Sequence, residues 1–452
     1  MRCVSHIHRK HHSVHPRMQT PHIRPECRFQ AAAPACRRLR AACLDPSLLH
    51  SVSAIIRDES AAALLHRLQS LLAFLAAHVA DVRSFEVSLH GAACDAALTA
   101  LECDEQHALV GGCLALCCAA GQLQELRTVG VPLPSCAWLV GAARLHSLEL
   151  VAGVGGQVRL PPLAHLFALT NLALEAHQVH LGTLPVSLLR LLINDHQTSQ
   201  LPHQLSKLSG LSSLHLMCTR HEQPSLDMLS SLPALRRLLL TQTERLPTCL
   251  STLTRLQALT MQLADAAGDE AVLASAFPSL TLLTCLVINS TQMASLPPSI
   301  TALSRLQRLW VQLSSNRASD LPPAAHRWPV LRWLGLPWAG LVGSVASGGL
   351  PSATALQYLS VLDMPELFKS TGERPDDVQP RWAAAWRFIR MHPSLRCFGI
   401  DSTDEPSLEL FDAMLDLKLA RPGLLLQRTT RDGGLSFWEE IIQCEGLPTG
   451  AG

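Results

Sequence analysis

One pattern constrains this chain more than any other. Leu-x-x-Leu-x-Leu opens at Leu123, Leu145, Leu169, Leu188, Leu211, Leu235, Leu256, Leu283, Leu306, Leu331, Leu356 and, more loosely, Leu395. Successive openings lie 19 to 27 residues apart, apart from a last step of 39. Each copy ends in alternation. In the copy from Leu306, Leu309 and Val311 fall on one side of an extended strand, while Arg308, Trp310 and Gln312 fall on the other. A second signature recurs between strands, as "LPVSLL" (184–189), "LPHQLSKL" (201–208), "LPTCLSTL" (246–253) and "LPPSITAL" (296–303). Leu-Pro marks a turn there, and apolar residues at intervals of about three suit a short helical segment facing inward. A single unit of this size cannot bury its leucines alone, so the units must stack. Apolar residues make up 48 % of the chain and aromatic ones only 4 %, so the shared core is built of Leu and Ala.

The pattern resembles the leucine-rich-repeat family over roughly residues 82–430. Stacking predicts an α/β leucine-rich-repeat solenoid, a horseshoe whose parallel β-sheet lines the concave side with the Leu-Pro segments outside. The clear repeats occupy residues 123–430. One departure stands out. Where the family carries Asn or Cys to stitch adjacent turns, this chain has His177, His196, Thr219, Thr243, Thr291, Ser314 or Thr403, or an apolar residue. Hydroxyls offer fewer donors than an amide, so the stitching is expected to be looser.

Before the repeats the character changes. Residues 1–34 are rich in Arg and His, with Glu26 the only acid, and read as a disordered basic tail. A transit peptide is the alternative, and a metal site from His6, His8, His11, His12 and His15 lacks the flanking order that holds ligands. "SVSAII" (51–56), an amphipathic helix at 60–79 and "VRSFEV" (82–87) read as strand, helix and strand, and residues 51–122 as an N-terminal cap. Between them, "ACRRLRAACLDPSLL" (35–49) places Cys36, Leu39 and Cys43 at helical spacing and stops at Asp45-Pro46. This segment, 35–50, is similar to the second half of an F-box. The resemblance implies that Cys36, Arg37, Leu39, Leu44, Pro46 and Leu48 dock a Skp1-type adaptor and hence a cullin. Leu39 and Leu49 stand where that family often has Trp, and the first half of the box is missing.

The side of each strand opposite the leucines is expected to line the concave surface. Early copies place small or mixed residues there, such as Ser147 and Glu149, or Arg237 and Leu239. From Leu306 onward one row carries Arg308, Trp333 and Tyr358, with Trp310 in the next row and Trp338 following the strand of Trp333. Trp, Tyr and Arg are the residues that binding hot spots favour. Arg308, Trp310, Trp333, Trp338 and Tyr358 therefore form the candidate partner-binding patch. The rival is that these rings pack beneath an insertion at 364–394, which holds a polar loop (369–380) and a helix (381–391). Residues 431–452 read as a C-terminal tail.

The net charge of +1 offers no global attraction to nucleic acid or anionic membrane. The most apolar run, 108–121, is shorter than the roughly 20 residues a membrane-crossing helix needs. Fifteen scattered cysteines read as buried small hydrophobes in a reducing compartment. "GVGGQV" (153–158) has no following Lys-Ser/Thr, "CLALCC" (113–118) lacks paired zinc spacing, and no triad or carboxylate pair recurs. No enzyme, cofactor or metal is expected. The expected function is recognition of a protein on the concave face, as a substrate-recognition subunit of an SCF-type ubiquitin ligase in the cytoplasm or nucleus. An intracellular leucine-rich-repeat scaffold without any ligase role is the alternative.

Overall fold

The structure is a computed structural model that describes residues 50–429 outside several connecting stretches, the longest being 91–102, 196–202, 219–225, 314–320, 322–327, 363–374 and 402–407. The basic tail, all of the F-box-like segment except His50, and the C-terminal tail lie outside the described residues. The chain divides into two compact units, one ending at Leu235 and the other beginning at Arg236.

The local rule is a three-residue period. In 226–238, Leu226, Leu229, Leu232, Leu235 and Leu238 are all buried. Leu232 and Leu235 each donate a backbone N–H to the carbonyl three residues earlier, at 3.0 and 3.2 Å. A 3₁₀ turn has three residues per turn, so a leucine at every third position keeps one side inward. The same bonds recur at Leu208 and Leu211, at Leu253 and Leu256, and at Leu303 and Leu306. The Leu-Pro segments accordingly form 3₁₀ turns at Thr248–Thr252 and Pro298–Ala302, with Leu250 and Ile300 inside. Each turn then runs into a strand, where the period shortens to two.

In the first unit, β1 (Ser51–Arg57), β2 (Ser84–His90), β3 (Glu125–Val129) and β4 (Ser147–Val151) pair in parallel, each with the next in the chain. β5 (Gln157–Arg159) and β7 (Gln178–His180) pair separately. The main ladder continues through β6 (Asn171–Ala176), β8 (Arg190–Asp195) and β9 (Ser213–Cys218). The stretch expected as a cap therefore supplies two further ladder strands. It joins them by α1 (Ala61–His78) and α2 (Cys103–Ala119), which pack on each other. Leu64, Leu68 and Leu75 of α1 are buried.

The second unit repeats the design with β10 (Arg237–Thr243), β11 (Ala258–Leu263), β12 (Cys285–Ser290), β13 (Arg308–Gln312) and β14 (Trp333–Pro337). It continues through β15 (Tyr358–Leu362), β16 (Cys397–Asp401) and β17 (Leu425–Thr429), again parallel and in chain order. Helices α3 (Asp269–Ala276), α4 (Trp338–Ala346), α5 (Pro375–Met391) and α6 (Leu408–Ala420) serve as connections. Parallel ladders in chain order, with leucine or another apolar residue at nearly every inward strand position, make this an α/β leucine-rich-repeat solenoid fold.

The stitching between turns differs from the family habit. Thr243 is buried, and its hydroxyl finds no hydrogen-bond partner among the described residues. The bonds come instead from side chains aimed at the Leu-Pro turns. Leu184 N–H donates to Gln204 Oε1 at 2.9 Å, Leu246 N–H to Asp269 Oδ1 at 3.0 Å and Leu321 N–H to Ser344 Oγ at 2.9 Å. The acceptors lie 20, 23 and 23 residues downstream, one repeat away. An amide at a buried turn needs a partner, and the next repeat supplies it. Asp269→Ala removes the acceptor and is expected to lower unfolding free energy by about 1–3 kcal/mol. Asp269→Asn keeps an acceptor oxygen and should lose less, as urea denaturation of the two variants would measure.

A buried histidine adds a pH dependence. His215 on β9 is 8 % exposed and stands opposite Leu192 of β8. Burial in apolar surroundings pushes its pKa down to about 4. The folded chain holds it neutral, whereas the unfolded chain binds a proton below about pH 6.5, so its contribution to stability is lost as pH falls toward 4. His215→Leu should flatten the decline of the urea midpoint between those pH values relative to the native chain. Parallel declines in both proteins would contradict it.

Candidate functional site

Positions that alternate with the leucines form a second face of each ladder, and its chemistry differs between the units. In the first unit it is acid-rich. Arg127 on β3 bridges Glu149 on β4, with Nε to Oε1 at 3.1 Å, and lies 3.8 Å from Glu86 on β2. Ser53 donates to Glu86 Oε2 at 2.9 Å. Burial raises the pKa of Glu149, Arg127 opposes that rise, and Glu86 and Glu175 add to it. One guanidinium thus holds carboxylates that would otherwise repel one another.

In the second unit three rows run across the strands. The parallel register aligns Arg237, Ala258, Cys285, Arg308, Trp333 and Tyr358 as successive partners. Arg237, Arg308, Trp333 and Tyr358 are half-buried, with the small Ala258 and Cys285 buried between the two arginines. The middle row holds Leu239, Thr260, Val287 and Trp310, each at most 5 % exposed. The third row sets three carboxamides side by side, Gln262, Asn289 and Gln312, all half-buried. From β10 to β15 no aligned position on this face carries a carboxylate.

Two of the expected patch residues need correction. Trp310 does not stand on an accessible wall: it is 1 % exposed. Its ring stacks on Trp333 with centroids 5.2 Å apart and planes 19° from parallel. It also packs with Ala258, Cys285, Val287 and Leu362. The physical reason is Gly335 on the next strand, the register partner of Trp310. A Cβ at Gly335 would lie 2.3 Å from Trp310 Cε3, so the missing side chain leaves the space the indole fills. Alternation was read correctly, but it said nothing about a glycine neighbour that lets the ring lie down.

Trp338 leaves the patch altogether. It opens α4, is 1 % exposed, and meets Trp386 of α5 with centroids 5.4 Å apart. Trp386 in turn meets Phe398 of β16 edge-on at 5.9 Å. Trp338 is therefore covered by the helix of the 364–394 insertion, as the rival reading had it. Arg308, Trp333 and Tyr358 keep the expected register, with Trp310 as the floor beneath Trp333. The carboxamide row and the Arg237–Arg308 spacing escaped the sequence reading. Extending the register one row beyond the aromatic residues was the signal that would have found them.

Burial keeps four thiols of the first unit protonated. Cys113, Cys118 and Cys136 are buried, which pushes their thiols up to about 12, and Cys117 shifts in the same direction. Among the described residues no group of three His, Cys, Asp or Glu is placed to hold a metal ion. No described helix is long and apolar enough to cross a membrane.

No family model matches the chain, and no curated protein matches it. Solved structures show a loose likeness to the chain. A leucine-rich-repeat protein of Leptospira interrogans is 16 % identical with a TM-score of 0.44, covering 77 % of this chain and 90 % of that one. A TDR receptor is 13 % identical with a TM-score of 0.41, covering 79 % of this chain and 58 % of that one. The plant peptide hormone receptor RGFR1, in complex with RGF2, is 15 % identical with a TM-score of 0.34, covering 78 % and 68 %. Likenesses this loose transfer no function, so the reading that follows rests on the chain's own residues.

Gly335→Ala tests the floor. The added methyl must displace the Trp310 ring, which is expected to cost about 1–3 kcal/mol by overpacking. It should also change the near-ultraviolet circular dichroism of the stacked pair. An unchanged aromatic spectrum would contradict the geometry.

Proposed function

We propose that the second unit's alternate face is a recognition surface for a protein or peptide. The observation that carries this reading is the in-register row Arg308, Trp333 and Tyr358, half-buried and set on a stacked tryptophan floor. Aromatic rings over a packed apolar base lose little entropy when a partner covers them. Truncating such anchors commonly costs 2 kcal/mol or more of binding energy. The neighbouring carboxamides both donate and accept, which suits an extended main chain.

A finer reading gives this surface the target of an SCF-type ubiquitin ligase in the cytoplasm or nucleus. Its support is the F-box-like segment 35–50 placed before the repeats, with Cys36, Arg37, Leu39, Leu44, Pro46 and Leu48 toward a Skp1-type adaptor and cullin. A scaffold without a ligase role is the rival, and co-purification of the adaptor, lost on Leu39→Ala with Leu48→Ala, separates the two.

Recognition itself is tested by selecting random displayed peptides on the full chain. Binders should weaken at least about 30-fold on Trp333→Ala, which corresponds to about 2 kcal/mol. They should tolerate Phe167→Ser, a change at an exposed position of the first unit. Binders indifferent to Trp333→Ala would overturn the proposal.

A further inference from the structure

Resting on the recognition reading above, we infer that the second unit takes an extended acidic peptide. Its two carboxylate side chains are four residues apart, and an apolar side chain follows two residues later. The spacing comes from the register. Arg237 and Arg308 occupy one row three strand intervals apart, across Ala258 and Cys285. At about 4.8 Å per interval that is roughly 14 Å between backbones. An extended chain laid across the strands advances about 3.4 Å per residue and turns alternate side chains toward the same face. Residues i and i+4 then lie roughly 14 Å apart on that face and reach the two arginines. Residue i+6 lies roughly 7 Å further on, between the positions of Trp333 and Tyr358 in the same row.

Charge and floor agree with this occupant. No carboxylate stands at the aligned positions of this face from β10 to β15. A guanidinium's planar fork of five donors takes a carboxylate in bidentate geometry. The field of both arginines is felt in the row. Burial pushes the Cys285 thiol up to about 11, while Arg308 first and Arg237 second pull it back. On the other side of the buried middle row, Gln262, Asn289 and Gln312 lie one interval apart and offer both donors and acceptors to a peptide main chain. A nucleic acid fits less well, because a polyanionic backbone needs a run of cations and these six strands supply two. The first unit's alternate face, where Arg127 is shared by Glu86 and Glu149, has the opposite preference.

The test uses the full chain and a fluorescein-labelled peptide, Gly-Glu-Ser-Ser-Ser-Glu-Ser-Leu-Gly, followed by fluorescence anisotropy. Replacing both glutamates by glutamine should weaken binding at least tenfold, and moving them to three-residue spacing should weaken it several-fold. Arg237→Glu with Arg308→Glu should abolish binding of this peptide and gain binding of its lysine counterpart, with circular dichroism confirming the fold. No binding of the glutamate peptide, equal binding of the glutamine peptide, or glutamate-dependent binding indifferent to both arginines would overturn the inference. So would displacement of the peptide by a 12-nucleotide single strand at lower concentration than by unlabelled peptide. Selected binders that depend on Trp333 yet lack acids would sink this inference alone. Binders that ignore Trp333 would sink the recognition reading with it.

Discussion

Everything in this molecule depends on the backbone bond between residues three apart that brings each buried leucine to the start of its strand. Leu232 to Leu229 and Leu235 to Leu232 are one instance, and Leu303 to Ile300 and Leu306 to Leu303 another. The bond sets a three-residue period in the connection, and the strand that follows has a period of two. Where the two periods meet, the leucines stay on one side throughout, and the alternate side is left for other chemistry. Burying a leucine is worth about 2 kcal/mol, so a strand slipped by one residue would expose a whole row. That penalty keeps the parallel register, and the register puts Arg308, Trp333 and Tyr358 in line.

The second constraint is the buried amide at three of the Leu-Pro turns, those of Leu184, Leu246 and Leu321. Proline after the leucine removes the next donor, but the leucine N–H remains and lies out of water. Gln204, Asp269 and Ser344 meet it, each from one repeat later and each by a different functional group. Repeats stitched by Asn or Cys at one fixed position show a visible column in their sequence. Here the acceptor changes identity from repeat to repeat, and two of the three sit on helices, α3 and α4, that replace the ordinary turn. Thr243 stands in the column where the family's amide belongs and makes no such bond among the described residues.

The alternate faces then carry two chemistries on one scaffold. In the first unit an arginine neutralises carboxylates around it, leaving Glu149 with a raised pKa because burial outweighs the ion pair. In the second unit no aligned position of the alternate face from β10 to β15 carries an acid, and the middle row is buried and packed. A stacked Trp310–Trp333 pair makes a rigid base, since Trp310 is held by Gly335 below and by Trp333 above. Rigidity of this kind lowers the ordering cost of association, which is where much of the energy of contact is otherwise lost.

Much of this was legible in the chain alone, for a physical reason: periodic burial writes periodic leucines. The repeat, the parallel order, the inward-facing helical turns of the Leu-Pro segments and the row Arg308–Trp333–Tyr358 all follow from spacing. The tertiary structure alone decided how deep each side chain lies. Alternation and position place Trp310 and Trp338 in an accessible patch, yet both are buried, one over a glycine on the adjacent strand and one beneath the insertion helix. It also decided which distant residues meet the turn amides, such as Asp269 at Leu246. Periodicity reports which way a side chain points, whereas burial depends on what a neighbour some twenty residues away leaves empty.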